Sequence, residues 1–111
     1  DTLSLHDALP ISKVYIGEYA RQALDARGLV MAPEGPPIAT QVLDTTAGVQ
    51  QSSAFNAETR FIRVHTDGII SYLIGTNPTA STSNERMAAN QTEYFGVING
   101  TSQKISCITN T

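Results

Sequence analysis

Short runs of alternating apolar and polar residues, separated by turn-forming residues every ~8–12 positions, constrain the fold more than any other feature. The clearest run is Arg60 to Thr66, where Ile62 and Val64 fall on one side and Arg63 and His65 on the other. About seven or eight such runs occur, and this spacing is typical of sandwiches rather than of βαβ units. The sequence therefore predicts an all-β fold, a small antiparallel β-sandwich of jelly-roll or immunoglobulin-like type.

Two links between the runs carry hairpin signals. Asp67-Gly68 is the stronger one, because both residue types tolerate positive φ. Asn99-Gly100 begins a loop of ~5 residues between the last two runs, which predicts a second hairpin. The predicted strands are Lys13 to Ala20, Ile38 to Leu43, a polar edge strand from Val49 to Phe55, Arg60 to Thr66, Ile69 to Gly75, Glu85 to Ala89, Glu93 to Ile98 and Lys104 to Thr109.

The segment before residue 38 supports two interpretations. Glu18 to Arg27 contains good helix formers, and Gly28 would make a natural C-cap, which favours a short helix near 18–27. A polar loop between two strands fits the same residues equally well. Met31 to Pro37 contains three prolines and is expected to be irregular. We therefore assign 12–37 to an N-terminal arm, first strand and Pro-rich loop, forming a single domain with a β-sandwich core over 38–111.

The N-terminal run Thr2 to Ile11 resembles one translated frame of a common short-read sequencing adapter. We expect residues 1–11 to be an adapter-derived artefact rather than native protein, so His6 and Asp7 carry no functional weight. The remaining length suits one domain with a modest core.

Charge and cysteine content narrow the classes of partner. With Asp1 and Asp7 set aside, eight acidic residues stand against seven basic ones, a net charge of −1. Such a chain has no electrostatic footprint for nucleic acid. It also has no run of ~18 apolar residues for a membrane span. The single cysteine, Cys107, cannot form an internal disulfide. We expect neither nucleic acid nor membrane as a partner.

One set of residue types could in principle perform nucleophilic catalysis: Ser52 or Ser53 with His65 and Asp67. No Gly-x-Ser-x-Gly elbow supports it, and turn chemistry already explains Asp67. The carboxylates of Glu58, Glu85 and Glu93 are scattered among turns and strand ends, and His65 with Cys107 is too small a set for a metal. The sequence therefore predicts no enzyme, with no catalytic, cofactor-binding or metal-binding residue and no cofactor.

Several polar and aromatic residues keep two interpretations. The aromatics are expected in the core, although they could form a sugar-stacking platform. The arginines could pair with carboxylates of a neighbouring subunit or lie on a solvated face, and two glycosylation-like triplets are more simply turns. These residues are the aromatics Phe61, Tyr72, Tyr94 and Phe95, the arginines Arg60, Arg63 and Arg86, and the triplets beginning at Asn90 and Asn99.

A longer pattern carries a family resemblance. The stretch from Gln51 to Asp67, followed by Gly75 to Ala80, Arg86 to Ala89, Glu93 to Val97 and Lys104 to Thr109, resembles small proteins from tailed-phage genomes that lie among virion structural genes. The resemblance covers most of 13–111 and is strongest from Ile38 onward. No catalytic residue comes with it.

The resemblance implies a non-enzymatic virion protein made in the bacterial host cytoplasm, either a capsid decoration (cement) protein or a head–neck component. Its expected partners are other virion proteins, such as capsid or neck subunits, and further copies of itself. The expected contact elements are the loop from Thr76 to Asn84, the Pro-rich arm from Met31 to Pro37 and the N-terminal segment. The alternative is a carbohydrate-binding or receptor-adhesion module of a phage fibre, which would bind a glycan.

Overall fold

The computed structural model describes residues 12–98 and 102–110 of the chain, and these residues form an all-β fold. The expected artefact at 1–11 and the Asn99-Gly100 pair lie outside the described residues. No helix in the described part is long and apolar enough to cross a membrane. The elements in chain order are β1 (Lys13–Tyr19), β2 (Gln22–Leu24), β3 (Val30–Pro33), β4 (Ala39–Asp44), a single-turn 3-10 helix (Thr45–Ala47), β5 (Gln50–Gln51), β6 (Phe61–Thr66), β7 (Ile70–Gly75), β8 (Glu85–Met87), β9 (Gln91–Gly96) and β10 (Lys104–Thr109).

Eight of these strands form the two antiparallel sheets of a sandwich. The first sheet has the order β4-β1-β6-β9, and the second has the order β5-β10-β7-β8. From β4 onward the chain changes sheet at every connection except the β7–β8 hairpin. This repeated crossing is the connectivity of a jelly roll. The predicted all-β antiparallel sandwich is confirmed.

The core consists of the alternate side chains that the two sheets turn toward each other. In β1 and β6 the buried positions follow the predicted period of two, with Val14 opposite Thr66 and Ile16 opposite Val64 in the neighbouring strand. The second sheet contributes residues such as Ile70 and Ile105. The complete buried apolar cluster is Val14, Ile16, Leu43, Phe55, Ile62, Val64, Ile70, Met87, Ile105 and Cys107.

Both hairpin predictions are wrong. β6 has β1 on one edge and β9 on the other, so β7 cannot pair with it, and β7 lies instead between β10 and β8 of the second sheet. The glycines with positive φ are Gly28 and Gly48 among the described residues, so Gly68 does not form a type I′ turn. β9 and β10 likewise lie in different sheets. A strand that crosses the sandwich buries one face just as a hairpin strand does, so alternation does not distinguish the two topologies.

The helix interpretation of 18–27 is also wrong. β2 pairs with β3 in a separate two-stranded sheet, which continues the β1–β4 hairpin beyond the sandwich. Gly28, at φ 82°, belongs to the turn at the tip rather than to a helix C-cap. The expected irregularity of 31–37 is partly right, since Val30–Pro33 is a strand and the Gly35-Pro36 peptide bond that follows is cis. We call residues 21–34 the β-arm.

Candidate functional site

The outer face of the first sheet carries an unusual concentration of rings. Five outward positions of β1, β6 and β9 hold tyrosine, phenylalanine or histidine. Tyr19 stacks on Phe61 with ring centroids 5.3 Å apart, and Phe61 is 6.5 Å from the ring of Tyr94. Toward the other end of the strands, Tyr15 lies 6.4 Å from His65. We call these five side chains the aromatic face.

A cleft interrupts the aromatic face at Gly17. In the antiparallel register Gly17 lies between Thr40 of β4 and Arg63 of β6. The rows on either side contain Tyr15 and Tyr19, so two tyrosines flank a position that has no side chain. The resulting cavity has a volume of about 290 Å³ and is lined by Tyr15, Ile16, Gly17, Tyr19, Pro37, Thr40, Gln41, Val42 and Arg63. We call it the Gly17 cleft.

The close approach of Tyr19 leaves little room for a side chain at the floor of this cleft. A Cβ on residue 17 would lie 3.3 Å from Cε1 and 3.5 Å from Oη of Tyr19. A glycine inside a strand weakens the strand and marks a place where another group approaches the backbone closely. The sequence signal for the cleft is the pattern Tyr15-x-Gly17-x-Tyr19 within a predicted strand, and the sequence analysis did not use it.

Arg63 supplies the charge of the Gly17 cleft. Its side chain is half-buried on the outer face of β6, between Gly17 and Tyr94 in the register. Among the described residues it forms no ion pair, in contrast to Arg21 and Arg27 of the β-arm. A guanidinium has five N–H donors and no acceptor, so this side chain is equipped to bind an anionic or carbonyl oxygen.

The predicted serine–histidine–aspartate set is only partly assembled. His65 Nε2 lies 3.5 Å from Asp67 Oδ1, and His65 Nδ1 is 2.8 Å from the hydroxyl of Thr92. Ser52, however, is buried beside β10 of the other sheet, where its hydroxyl accepts from Ile105 N and donates to Ser53 O. Ser53 follows it, and the Ser53 amide donates to Gln41 Oε1 of β4 at 2.8 Å. The structure thus brings neither serine into a hydrogen bond with His65, which lies on the outer face of β6.

The carboxylates are likewise not gathered into one site. Within 12–98 and 102–110, no group of three or more histidine, cysteine, aspartate or glutamate side chains is placed to hold a metal ion. Glu18 is the most buried carboxylate, at 1% exposure. Its Oε1 accepts from the Asn56 amide at 2.7 Å and the Thr59 hydroxyl at 2.8 Å, and its Oε2 accepts from Gln41 Nε2 at 3.1 Å. These bonds attach the connection before β6 to β1, which is a structural role.

The four aromatics named as a stacking platform lie on both sides of the first sheet. Tyr94 is 52% exposed and Phe61 also lies on the outer face. Phe95 points inward and packs against Tyr72, with the two ring centroids 5.0 Å apart. Burial raises the pKa of Tyr72, with smaller contributions from Glu93 and Glu85. Only Phe61 and Tyr94 are therefore placed to meet a ligand.

The β-arm is the second surface of interest, because it exposes large apolar side chains outside the sandwich. Its strands contact chiefly each other. Asp25 Oδ1 accepts from the amides of Arg27 and Leu29 at 2.8 and 2.9 Å, and an ion pair between Arg21 and Glu34 joins the two strands at the base. Four apolar side chains of the arm are between 56% and 69% exposed: Leu24, Leu29, Val30 and Met31.

The other expected contact loop, Thr76 to Asn84, is partly packed onto the second sheet. Pro78 and Ala80 are buried, and the Ala80 amide donates to the Ser106 hydroxyl at 2.9 Å. Gln51 Nε2 donates to Pro78 O at 2.7 Å. This loop therefore offers its exposed polar residues rather than an apolar surface. Asn90 lies in a turn at φ 60°, as expected, and the triplet beginning at Asn99 lies outside the described residues.

Comparison with protein-family models, with curated proteins and with solved structures finds no match to this chain.

Proposed function

We propose that this protein is a non-enzymatic virion structural protein, a capsid decoration or head–neck component of a phage, that acts through contacts with other protein subunits. The β-arm carries this proposal, because it presents four large apolar side chains on a short hairpin with little support from the sandwich. Full burial of one such side chain contributes about 1.5–3 kcal/mol. Large exposed apolar side chains gathered on one short element favour a protein–protein contact.

The internal bonds of the arm favour the same role. Asp25 orders the tip and the Arg21–Glu34 pair orders the base. An ordered arm loses less conformational freedom on docking than a flexible loop would. In a virion many copies bind a repeating lattice, so a modest contact per copy is sufficient when several contacts are linked. The resemblance to proteins encoded among virion structural genes points to the same partners.

The test uses particles of the phage that encodes this protein. We expect mass spectrometry of purified particles to detect the protein, and its absence would overturn the proposal. In a complementation experiment, Leu24→Ser with Met31→Ser should lower its copy number per particle at least tenfold. The matched control is Val49→Ser with Leu73→Ser, which changes two exposed apolar residues of the sandwich, at 41% and 40% exposure. Equal incorporation of both variants would exclude the arm as the contact.

The glycan-binding alternative is favoured by a different observation, the exposed rings of the aromatic face. Tyr72 was one of the four aromatics of the possible sugar-stacking platform. It faces the interior and therefore cannot form a stacking surface together with Tyr94. Tyr15, Tyr19 and Tyr94 on the outer face are better placed.

A further inference from the structure

We propose that the Gly17 cleft is a binding site for an acidic sugar, a pyranose ring that bears a carboxylate. This inference concerns the first sheet and is independent of the β-arm and of the virion role. It rests on the shape of the cleft, on the rings that flank it and on the cation within it.

The shape fits a small ring. The floor is the backbone of Gly17, which the outer edge of the Tyr19 ring approaches on one side, and Tyr15 lines the other side. The volume of about 290 Å³ lies just below the range of ligand sites, roughly 300–1,000 Å³. A site of this size holds one or two sugar rings rather than a folded protein segment.

The flanking rings fit the chemistry of a pyranose. One face of a pyranose presents C–H groups, which carry small positive partial charges, whereas the face of an aromatic ring is negative. Tyr15 and Tyr19 line the cleft with such rings, one face of Tyr19 being stacked on Phe61, and they add hydroxyl groups for the sugar hydroxyls. Among the described residues, neither tyrosine hydroxyl nor the Thr40 hydroxyl is engaged in a hydrogen bond, so all three are available to a ligand.

The positive charge of Arg63 favours a sugar that bears a carboxylate. Arg63 is half-buried in the cleft wall, and its neighbours across the strands are Gly17, which has no side chain, and Tyr94. The carboxylates of the same face, Asp44 and Asp67, lie at the strand ends and are engaged with Thr46 N and His65. Arg63 therefore lacks a carboxylate of its own, and a planar carboxylate of the ligand matches the two-pronged geometry of its guanidinium.

The test measures binding of two matched sugars to the purified protein by calorimetry and amide NMR. The probes are methyl glucuronoside and methyl glucoside, which differ only in the carboxylate. We expect the glucuronoside to bind at least tenfold more tightly and to shift the amide resonance of Gly17. Arg63→Gln should remove this preference, whereas Arg86→Gln, on the exposed edge of the other sheet, should leave it unchanged.

A second variant separates loss of the site from loss of the fold. Thr40→Trp fills the cleft from an exposed position of edge strand β4, and it should abolish binding of both sugars without lowering the unfolding temperature. Three results would each overturn the proposal. They are equal affinity for the two sugars, no binding of either at about 20 mM, a concentration well above a millimolar Kd, and equal losses in Arg63→Gln and Arg86→Gln. Arg63-dependent binding of an acidic peptide without binding of the glucuronoside would overturn it as well.

Discussion

At the scale of single residues, the hydrogen bonds of Glu18 predict that its substitution lowers the free energy of unfolding. Its two oxygens accept three hydrogen bonds, from Gln41, Asn56 and Thr59. In Glu18→Gln one oxygen becomes an NH2 group that must face another donor. Gln41 cannot turn its amide around without losing the Ser53 amide, which donates to Gln41 Oε1 at 2.8 Å. We expect the free energy of unfolding in urea to fall by about 1–3 kcal/mol.

The control for Glu18 is Glu58→Gln, which makes the same chemical change on an exposed turn residue. Its free energy of unfolding should stay within about 0.5 kcal/mol of the parent value. Similar losses in the two variants would show that the buried bonds of Glu18 do not stabilise the fold.

Burial of the Cys107 thiol predicts that the free energy of unfolding falls at alkaline pH. Burial raises the pKa of its thiol to about 12, whereas an unfolded thiol ionises near about 8.5. The thiol of the unfolded state therefore loses its proton first as the pH rises. Below about pH 8.5 the contribution of Cys107 to stability is complete, and it is lost as the pH rises from there toward the pKa of the folded state. Relative to Cys107→Ala, the parent protein should lose about 2 kcal/mol of stability between pH 8 and pH 10. A difference that stays constant over this range would contradict the burial of the thiol.

At the scale of elements, the order of the β-arm tip depends on the side chain of Asp25. Asp25→Ala removes the acceptor of the Arg27 and Leu29 amides. Loss of these bonds, worth about 1 kcal/mol each, should speed hydrogen exchange of both amides about fivefold. Exchange at Ile62 in the core should not change. Asp25→Asn, which keeps an oxygen in place, is the matched control, and equal exchange rates in the two variants would show that the carbonyl-type acceptor does not order the tip.

The elements also show what the sequence can predict. Ile62 and Val64 alternate with Arg63 and His65 because a strand turns successive side chains to opposite faces, and the structure confirms this assignment. Local chemistry did not predict the partners of each strand. Asp67-Gly68 has the composition of a hairpin turn, yet the edges of β6 are occupied by β1 and β9, which are distant in sequence. For the same reason the Gly17 cleft was missed, since Thr40 and Arg63 meet Gly17 only through strand pairing.

At the scale of the whole molecule, the structure separates two surfaces with different chemistry. The sandwich carries the aromatic face with its single cleft cation, and the β-arm carries apolar side chains beyond the sandwich. Because β2 and β3 contact chiefly each other, the arm contributes little to the core. Its exposed apolar residues form the surface that the proposed function assigns to a partner.

This separation predicts that the arm can be removed without unfolding the sandwich. Replacing residues 22–33 by Asn-Gly joins Arg21 to Glu34 through a two-residue turn that suits antiparallel strands. We expect the free energy of unfolding to stay within about 1 kcal/mol of the parent value, since no core side chain is lost. If the arm docks on a second copy of this chain, light scattering at micromolar concentrations should show an oligomer for the parent and a monomer for the shortened protein. Unfolding of the shortened protein would instead show that β2 and β3 support the sandwich, and an oligomer that persists without them would place the contact between copies elsewhere.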